Sequence, residues 1–249
     1  MKKFLFIALA AATVVACNKG DKDVTANDAV VEITTATRGE VANADGAGTT
    51  TIAVPAAEEF AVTVDGNGES LTWDTLAEYN AALAKGLTFV SGINYTITLT
   101  HGELGVEGYN KPYFKGSNTV KTNGYGLSTN VNIECVLTNS IVAIETTTNF
   151  NGYFPKAKFT VNDVEWNPES EEFLFMNAGE VTIVCEAVRQ ADMASGTVTT
   201  MTTRVALKPT TRHTVKFDLS SAGNAYIDVT FDDEIVKQIP IDTELNENA

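Results

Sequence analysis

Strict alternation of apolar and polar residues is the feature that most constrains the fold of this chain. It is clearest over residues 94–100, where Tyr95, Ile97 and Leu99 are separated by polar side chains, and it recurs over 227–232. A period of two puts successive side chains on opposite faces of a strand, so one face packs and the other meets water. Such half-buried strands are typical of antiparallel sheets. Further segments of strand composition are 29–36, 50–54, 60–64, 130–137, 141–146, 157–161, 173–176, 198–207 and 213–219.

Short turn sequences separate these segments. Glycine and asparagine recur at residues 65–68, 123–124, 151–152 and 221–224, and these residue types accept the positive φ angles that tight connections need. A dozen or more strands suit two seven-stranded sandwiches of about a hundred residues each. We therefore predict an all-β fold of two tandem immunoglobulin-like antiparallel β-sandwiches, over 29–137 and 138–249.

One short helix is predicted in the first sandwich. Leu76, Tyr79 and Leu83 recur at helical spacing, with Thr72 or Asp74 as the N-cap, and a glycine three residues after Leu83 ends the pattern. We expect this helix to cover one open end of the sandwich, where it would hide the apolar ends of strands.

The N-terminus has the pattern of a lipoprotein signal peptide. Two lysines precede an apolar run over residues 4–15, and Ala16 stands directly before Cys17. We expect cleavage after residue 16 and attachment of a lipid to the Cys17 thiol, with cleavage without lipidation as the alternative. Residues 17–28 would form a flexible tether. The mature sequence has no second apolar run long enough to span a membrane, so the lipid would be its membrane contact.

The charge of the chain argues against a nucleic-acid partner. Its formal net charge is −15 at pH 7, and removal of the signal peptide takes away two lysines and no acidic side chain. Proteins that bind a polyanion release counterions through a basic surface, which this composition does not provide. We interpret the acidic surface as a means of staying soluble.

Two cysteines remain after lipidation of the first. Cys135 and Cys185 are in phase with the apolar faces of their strands, and we interpret both as small buried core residues. A disulfide requires Cβ atoms about 4 Å apart, and the two cysteines fall in different predicted sandwiches. A bridge between them stays open as the alternative at this point.

Motifs for chemistry are scarce. His101 and His213 are the only histidines, and neither has a nucleophile motif beside it. The acidic start at Asp65, Asn67 and Glu69 departs from a calcium loop, because the glycine and glutamate expected further along the loop are missing. Glycine-rich pieces lack the strand–loop–helix setting of a phosphate-binding loop. We predict no catalytic residues, no metal site and no cofactor.

Residues 73–142 resemble a family of uncharacterised lipoproteins from gut and oral Bacteroidota, with a loose likeness to fimbrillin-type pilus proteins. The residues that carry the resemblance are 73–79, 92–95, 110–117 and 135–142. The Lys-Pro-Tyr-Phe-x-Gly element within 110–117 is the most specific, and its Gly116 is expected to permit a following turn. The resemblance implies a β-sandwich surface lipoprotein and carries no catalytic residues.

Two shorter likenesses concern export and modification. The polar stretch after Cys17 partly resembles the acidic signals that send Bacteroidota lipoproteins to the outer face of the outer membrane. Asp74-Thr75-Leu76 resembles the three-residue O-glycosylation signal of the same phylum, and whether Thr75 carries a glycan stays open. The first of these likenesses favours display at the cell surface over a periplasmic location.

The leading hypothesis is a non-enzymatic outer-membrane lipoprotein that acts as an adhesion or interaction module at the cell surface, with a glycan or protein partner. The candidate ligand-facing aromatic residues are Tyr109, Tyr113, Phe114 and Tyr125, although we expect at least two of them to pack in the core. The alternative is a pilus anchor or subunit that exchanges a strand with its neighbour. The third hypothesis is a glycan-acting hydrolase with two converging acids.

Overall fold

The computed structural model of the protein describes residues 27–124, 126–220 and 226–240. The predicted signal peptide, Cys17, nearly all of the tether and Tyr125 lie outside these residues. The described residues form two α-helices, α1 (Leu76–Ala84) and α2 (Thr148–Tyr153), and nineteen strands. The strands are β1 (Asn27–Thr37), β2 (Glu40–Asn43), β3 (Thr49–Thr51), β4 (Ala61–Gly66), β5 (Glu69–Trp73), β6 (Phe89–Val90), β7 (Asn94–His101), β8 (Gly108–Tyr109), β9 (Phe114–Lys121), β10 (Ser128–Leu137), β11 (Ser140–Thr146), β12 (Lys158–Val161), β13 (Val164–Glu165), β14 (Leu174–Met176), β15 (Gly179–Val188), β16 (Val198–Leu207), β17 (Thr211–Ser220), β18 (Tyr226–Phe231) and β19 (Glu234–Pro240).

The all-β fold class is confirmed. The strands form a seven-stranded sheet in the order β5-β4-β7-β9-β10-β1-β6 and a second sheet in the order β19-β18-β17-β11-β14-β8, with the β2–β3 hairpin attached to β17. A four-stranded sheet has the order β13-β12-β15-β16. The alternation that predicted β7 is confirmed in detail, because Tyr95, Ile97 and Leu99 are buried while their neighbours are exposed or half-buried.

Three strand pairs are parallel, which the alternation did not predict. β1 runs parallel to β10, β11 to β17, and β2 to β17, while the remaining pairs are antiparallel. Val31 lies opposite Thr129 and Ile33 opposite Val131, so β1 pairs with a strand distant in sequence. Alternation reports which face of a strand is buried; the direction of a distant partner depends on the course of the chain between them.

The sheets exchange segments across the predicted boundary at residue 138. The β2–β3 hairpin pairs with β17 through Ala42, and β8 pairs with β14 through Tyr109. The buried residues nevertheless form two clusters, which change over between Ile141 and Val142, with Phe175 joining the first cluster. The division into units 29–137 and 138–249 therefore stays a prediction.

Helix α1 lies in the first cluster as expected, but its N-cap differs from both predicted residues. Thr75 is the cap, and its hydroxyl accepts a hydrogen bond from the Glu78 N–H at 3.1 Å. Leu76 and Tyr79 are buried, and the Tyr79 hydroxyl donates to the Val31 carbonyl at 2.6 Å. That bond ties the helix to β1.

Helix α2 corrects a predicted turn. Asn151 and Gly152 lie inside this helix, whose N-cap is Thr147. Phe150 is fully buried and is the centre of an aromatic cluster in the second core, with ring centroids 5.1 Å from Phe154 and 5.7 Å from Phe217. Burial of these rings fixes the helix against the sheet, so tertiary packing overrides the turn preference of the Asn-Gly pair.

The two cysteines are free and buried in separate cores. Cys135 belongs to the first cluster and Cys185 to the second, as their phase in the strands predicted. Burial raises the pKa of both thiols, and it raises the pKa of Cys185 to about 12. Burial therefore disfavours the reactive thiolate form of both residues.

Two of the segments that carried the family resemblance, 110–117 and 135–142, are hydrogen-bonded to each other. Asn139, which is buried, accepts from the Tyr113 N–H at 3.2 Å through Oδ1 and donates from Nδ2 to the Lys111 carbonyl at 2.9 Å. The Thr138 N–H donates to the Tyr113 carbonyl at 2.9 Å. The segment 110–117 is thereby fixed to the link between the two cores.

The expected role of Gly116 is wrong, since no turn follows it. Gly116 lies inside β9, beside β10. A Cβ atom at this position would be 2.5 Å from the Glu134 carbonyl oxygen, 2.7 Å from Ile133 Cγ2 and 2.9 Å from Cys135 Sγ. The glycine is needed because the two strands approach too closely for any side chain.

Candidate functional site

The strongest candidate site is a groove around Trp166, in the four-stranded sheet. It consists of two cavities, of about 430 Å³ and about 270 Å³, which share Ala157, Trp166 and Pro168 as lining residues. The remaining lining residues are Lys158, Glu165 and Asn167 in the first cavity, and Ile144, Thr146, Asn151, Phe154, Pro155 and Phe159 in the second. We call this surface the Trp166 groove. Its lining combines an apolar floor with a few polar groups, which is typical of ligand sites.

A tight hairpin places Trp166. Strands β12 and β13 pair through Val161 and Val164, and the two residues between them, Asn162 and Asp163, have φ angles of 45° and 68°. Two consecutive positive φ angles are typical of a two-residue hairpin turn. The Trp166 N–H then donates to the Phe159 carbonyl at 2.8 Å. The indole side chain is half-buried against the second core.

Tyr109 supports the indole from the first half of the chain. Its ring centroid lies 6.3 Å from that of Trp166, with an angle of 33° between the planes. Its hydroxyl accepts a hydrogen bond from the Asn167 N–H at 2.6 Å. Burial raises the pKa of Tyr109, and the charge of Glu165 adds to this, while the bond from Asn167 lowers it. The phenol therefore stays neutral and holds the residue after Trp166 in place.

The wall of the groove after Trp166 is fixed by short-range hydrogen bonds. Asn167 Oδ1 accepts from the Glu169 N–H at 3.0 Å, and the Asn167 carbonyl accepts from the Ser170 N–H at 3.2 Å. The Ser170 hydroxyl accepts from the Glu172 N–H at 3.1 Å. These turns are typical of asparagine and serine in loops, and they preorganise the loop that carries Pro168.

The charges in the groove cancel. Lys158 and Glu165 are its charged lining residues among the described part of the chain, and both are exposed. The amide groups of Asn151 and Asn167 and the hydroxyl of Thr146 supply donors and acceptors without charge. The groove is thus locally neutral on a chain of net charge −15.

Of the four predicted aromatic residues, the structure describes Tyr109, Tyr113 and Phe114, and it does not place these three on one surface. Phe114 has 0% of its surface exposed and lies in the first core, and Tyr113 is 9% exposed. Burial raises the pKa of Tyr113. Tyr109 is half-buried beneath Trp166, and Tyr125 lies outside the described residues. Two of the four side chains pack in the interior, as expected, and Tyr109 contacts Trp166 and Asn167 without lining the groove.

Each of the two histidines packs against an aromatic ring. His213 is fully buried; its Nδ1 donates to the Asp232 carboxylate at 2.6 Å, and its Nε2 accepts from the Lys208 N–H at 2.9 Å. Its ring stacks on Phe231 at 5.1 Å. His101 lies 5.7 Å from the Phe60 ring. Because both ring nitrogens of His213 are engaged, this residue has no free site for proton transfer.

The described residues can also be compared with the predictions on metal binding, membrane spans and a glycan on Thr75. Among the described residues, no cluster of three or more metal-ligating side chains is found, and no helix is long and apolar enough to cross a membrane. The Thr75 hydroxyl is half-buried and engaged as the α1 N-cap. A glycan on Thr75 would therefore compete with this cap.

Sequence reasoning missed Trp166, Lys158 and Glu165. The available signal was the order of residue types over 162–168, where a two-residue Asn-Asp turn is followed by a tryptophan and then by Asn-Pro. Trp166 stands directly after the short strand β13 and two residues before Pro168, and its side chain is half-buried. The contribution of Tyr109 had no such local signal, since it comes from another sheet.

Comparison with known proteins gives a family match over most of the chain. A family model described as a domain of unknown function (DUF4493) matches residues 23–247. That span includes all of residues 73–142, on which the resemblance rested. No curated protein sequence matches the chain.

Solved structures from Bacteroides are similar to the chain at low identity. A candidate polysaccharide-binding protein from Bacteroides thetaiotaomicron is 8% identical with a TM-score of 0.42, covering 80% of this chain and 95% of that one. A candidate cell adhesion protein from Bacteroides eggerthii is 11% identical with a TM-score of 0.40, covering 85% and 97%. A fimbrial protein from Bacteroides ovatus is 12% identical with a TM-score of 0.37, and the match covers 84% of this chain and 54% of that one. At these values the similarities assign no function to this chain.

Proposed function

The chain belongs to the DUF4493 family, which confirms the expected membership of an uncharacterised family, and we propose a function for it from its own residues. The protein is a non-enzymatic interaction module of the adhesion type, held at the outer membrane by a lipid on Cys17 and exposed at the cell surface. The Trp166 groove carries this proposal, because it is a preorganised surface with one half-buried indole and a single carboxylate among its described lining residues.

The residues of the groove support binding rather than catalysis. Glu165 is the one carboxylate among its described lining residues, whereas glycoside hydrolysis uses two carboxyl groups about 5 to 10 Å apart. His213 has both nitrogens engaged, and Cys135 and Cys185 are buried with raised pKa values. The described lining of the groove therefore does not provide the pair of carboxyl groups that the hydrolase hypothesis requires.

The surface location rests on the N-terminal sequence. The apolar run that ends at Cys17 and the polar stretch behind it are typical of a lipid anchor followed by a tether. Protease treatment of intact cells tests this location, with a periplasmic protein as the control for leakage. Digestion of the chain with an intact control supports surface exposure, and protection of both proteins refutes it. A Cys17→Ala chain that stays in the membrane would refute the lipid anchor.

Adhesion is tested on cells whose surface display has been verified in this way. Cells that express the chain should bind to mucin-coated or collagen-coated surfaces more than matched cells that lack it. If the expressing cells and the matched cells were retained equally on each of these surfaces, the adhesion function would be refuted. Soluble mature chain, added in excess, should compete with the cells and serves as the specificity control.

The alternative function, a pilus anchor or subunit, is favoured by the position of β1. This first described strand lies between β10 and β6, and it contributes Ala29, Val31 and Ile33 to the first core. Exchange of such a terminal strand between copies is a known mode of β-strand addition. The edge strand β19 exposes Ile235 (59%) and Val236 (45%) at the other end of the described chain. Ladders of oligomers that survive mild denaturant would support a pilus role, and a monomer under all conditions would exclude it.

A further inference from the structure

We infer that the Trp166 groove binds a neutral glycan, with one pyranose ring stacked on the Trp166 indole. This inference rests on the proposed interaction function and names its ligand class. Sugar rings have an apolar face of C–H groups and a rim of hydroxyl groups, so a site for them needs an aromatic platform with polar groups at its edge. The Trp166 groove provides both features.

The platform is rigid before any ligand binds. The Tyr109 ring lies 6.3 Å from the Trp166 ring at an angle of 33°, and its hydroxyl accepts from the Asn167 N–H at 2.6 Å, while the backbone N–H of Trp166 donates to the Phe159 carbonyl at 2.8 Å. The indole is a flat, weakly polar surface that loses little conformational entropy on binding, because its neighbours have already fixed it. The part of the half-buried Trp166 side chain that is not packed against the second core is available to a partner.

The polar lining fits hydroxyl groups. Glu165 accepts hydrogen bonds, Lys158 donates them, and the amides of Asn151 and Asn167 do both. Asn167 Oδ1 is used by the Glu169 N–H, which leaves the Asn167 amide nitrogen directed to donation. A sugar hydroxyl both donates and accepts, so it pairs with each of these groups. A purely apolar ligand would displace water from these polar side chains without replacing the hydrogen bonds to that water.

Charge selects a neutral ligand. The lining holds one cation and one anion, Lys158 and Glu165, and the chain as a whole has a net charge of −15. Sulfated or uronate-rich glycans would be repelled by this field and would find no second cation in the groove. A peptide added as a strand would have only the two-residue edge strand β13 (Val164–Glu165) to pair with, which is too short for a stable ladder.

The dimensions suit several linked sugar rings. Cavities of about 430 Å³ and about 270 Å³ meet at Trp166, and their combined size falls within the range of small-molecule sites, roughly 300 to 1,000 Å³. A chain of sugars can therefore extend from the side of Lys158 to the side of Asn151 and pass over the indole. An oligosaccharide should bind more tightly than the corresponding monosaccharide.

The two tryptophans of the chain, Trp73 and Trp166, allow a direct test. In a Trp73→Phe variant of the mature chain, the tryptophan fluorescence comes from Trp166 alone. We would titrate this variant with neutral hexasaccharides of glucose, mannose, xylose and N-acetylglucosamine, and with hexagalacturonate and a heparin hexasaccharide as anionic comparisons. We expect a saturable change with at least one neutral hexasaccharide and none with the two anionic ones. The absence of a saturable response to every neutral sugar would overturn the inference, as would a preference for the anions.

Variants of the groove separate binding from folding. Trp166→Ala should weaken the affinity at least about tenfold, measured by calorimetry. Because this change also removes packing, Glu165→Gln provides a second variant at an exposed position and should weaken binding by about threefold to tenfold. Glu169→Gln, exposed on the same loop but outside the groove lining, is the matched control and should bind like the parent. Equal affinity of the Glu165 and Glu169 variants would overturn the assignment of these polar contacts.

The inference and the proposed function fail in different ways. Adhesion of cells that is unchanged by Trp166→Ala, together with no sugar response of the purified chain, overturns the glycan site and leaves the adhesion function standing. Saturable, Trp166-dependent sugar binding by a chain that is protected from protease on intact cells supports the site and removes the surface function. If the chain binds a deglycosylated protein and none of the sugars, the glycan inference is overturned in favour of a protein partner.

Discussion

Replacing Gly116 by alanine should destabilise the protein, because β9 and β10 leave no room for a side chain at this position. The added Cβ would lie 2.5 Å from the Glu134 carbonyl oxygen and 2.7 Å from Ile133 Cγ2, well inside ordinary van der Waals contact. The carbonyl belongs to the backbone of a paired strand and cannot rotate away as a side chain can. Forcing atoms into a well-packed site costs about 1 to 3 kcal/mol.

A smaller effect acts in the opposite direction. Alanine reduces the conformational freedom of the unfolded chain and thereby stabilises the folded state by about 0.4 to 1 kcal/mol. The net loss in the free energy of unfolding is then between about 0 and 2.6 kcal/mol, with a central value of about 1.3 kcal/mol. At that central value the melting temperature of a chain of this length should fall by about 3 to 5 °C.

Urea denaturation followed by circular dichroism measures this loss directly. The midpoint should move to lower urea with an unchanged slope, since the alanine adds almost no surface to the unfolded state. Gly152→Ala is the matched control: Gly152 lies inside α2, and a Cβ there would meet nothing within 4 Å. This variant should be as stable as the parent or more stable by up to about 1 kcal/mol. If Gly116→Ala behaved like the control, the argument from close strand approach would be refuted.

Three other variants or conditions test the remaining structural statements. Asn139→Leu removes the amide that pairs the buried Tyr113 N–H and the Lys111 carbonyl, so the free energy of unfolding from urea denaturation should fall by about 1 to 3 kcal/mol; an unchanged value would contradict the role of this amide. Tyr79→Phe removes the hydrogen bond to β1 and should cost about 1 kcal/mol at neutral pH. Burial raises the pKa of Tyr79 above its unfolded value of 10.0, so the parent is fully stabilised below pH 10 and loses stability as the pH rises further, and titration of stability with pH should show a smaller alkaline loss in the Tyr79→Phe chain. Because burial raises the pKa of Cys185 from 9.0 to about 12, its thiol should not react with a disulfide reagent at pH 8 in the native chain and should react fully in concentrated urea; rapid native labelling would show that this strand opens or is exposed.

How far the sequence predicts this molecule depends on the range of the interactions concerned. The burial of Tyr95, Ile97 and Leu99 follows from alternation alone, because the two faces of one strand are a local property. The cap of α1 moved to Thr75, since several residues before a helix can accept the same N–H. The parallel pairing of β1 with β10 depends on the course of about a hundred intervening residues, which alternation does not encode.

The same limit applies to the predicted site, because Tyr109, Tyr113 and Phe114 make their contacts with partners distant in the sequence. The aromatic residues at 109, 113 and 114 were predicted to face a ligand, yet each has a supporting role that comes from a distant partner. Phe114 fills the first core, the backbone of Tyr113 is bonded to Asn139, and Tyr109 backs Trp166. Segment 108–114 thus joins the first core, the link between the cores and the groove.

The orientation of Trp166 in the groove depends on contacts between two sheets. Trp166 itself belongs to a short hairpin on the edge of the four-stranded sheet, where β13 pairs with one neighbour only. A two-residue edge strand provides few backbone hydrogen bonds, so it cannot by itself fix an indole in one orientation. The bond from the Asn167 N–H to Tyr109 and the pairing of β8 with β14 connect that edge to the second sheet. The groove is therefore shaped by the packing between sheets, and its rigidity depends on a tyrosine that need not touch the ligand.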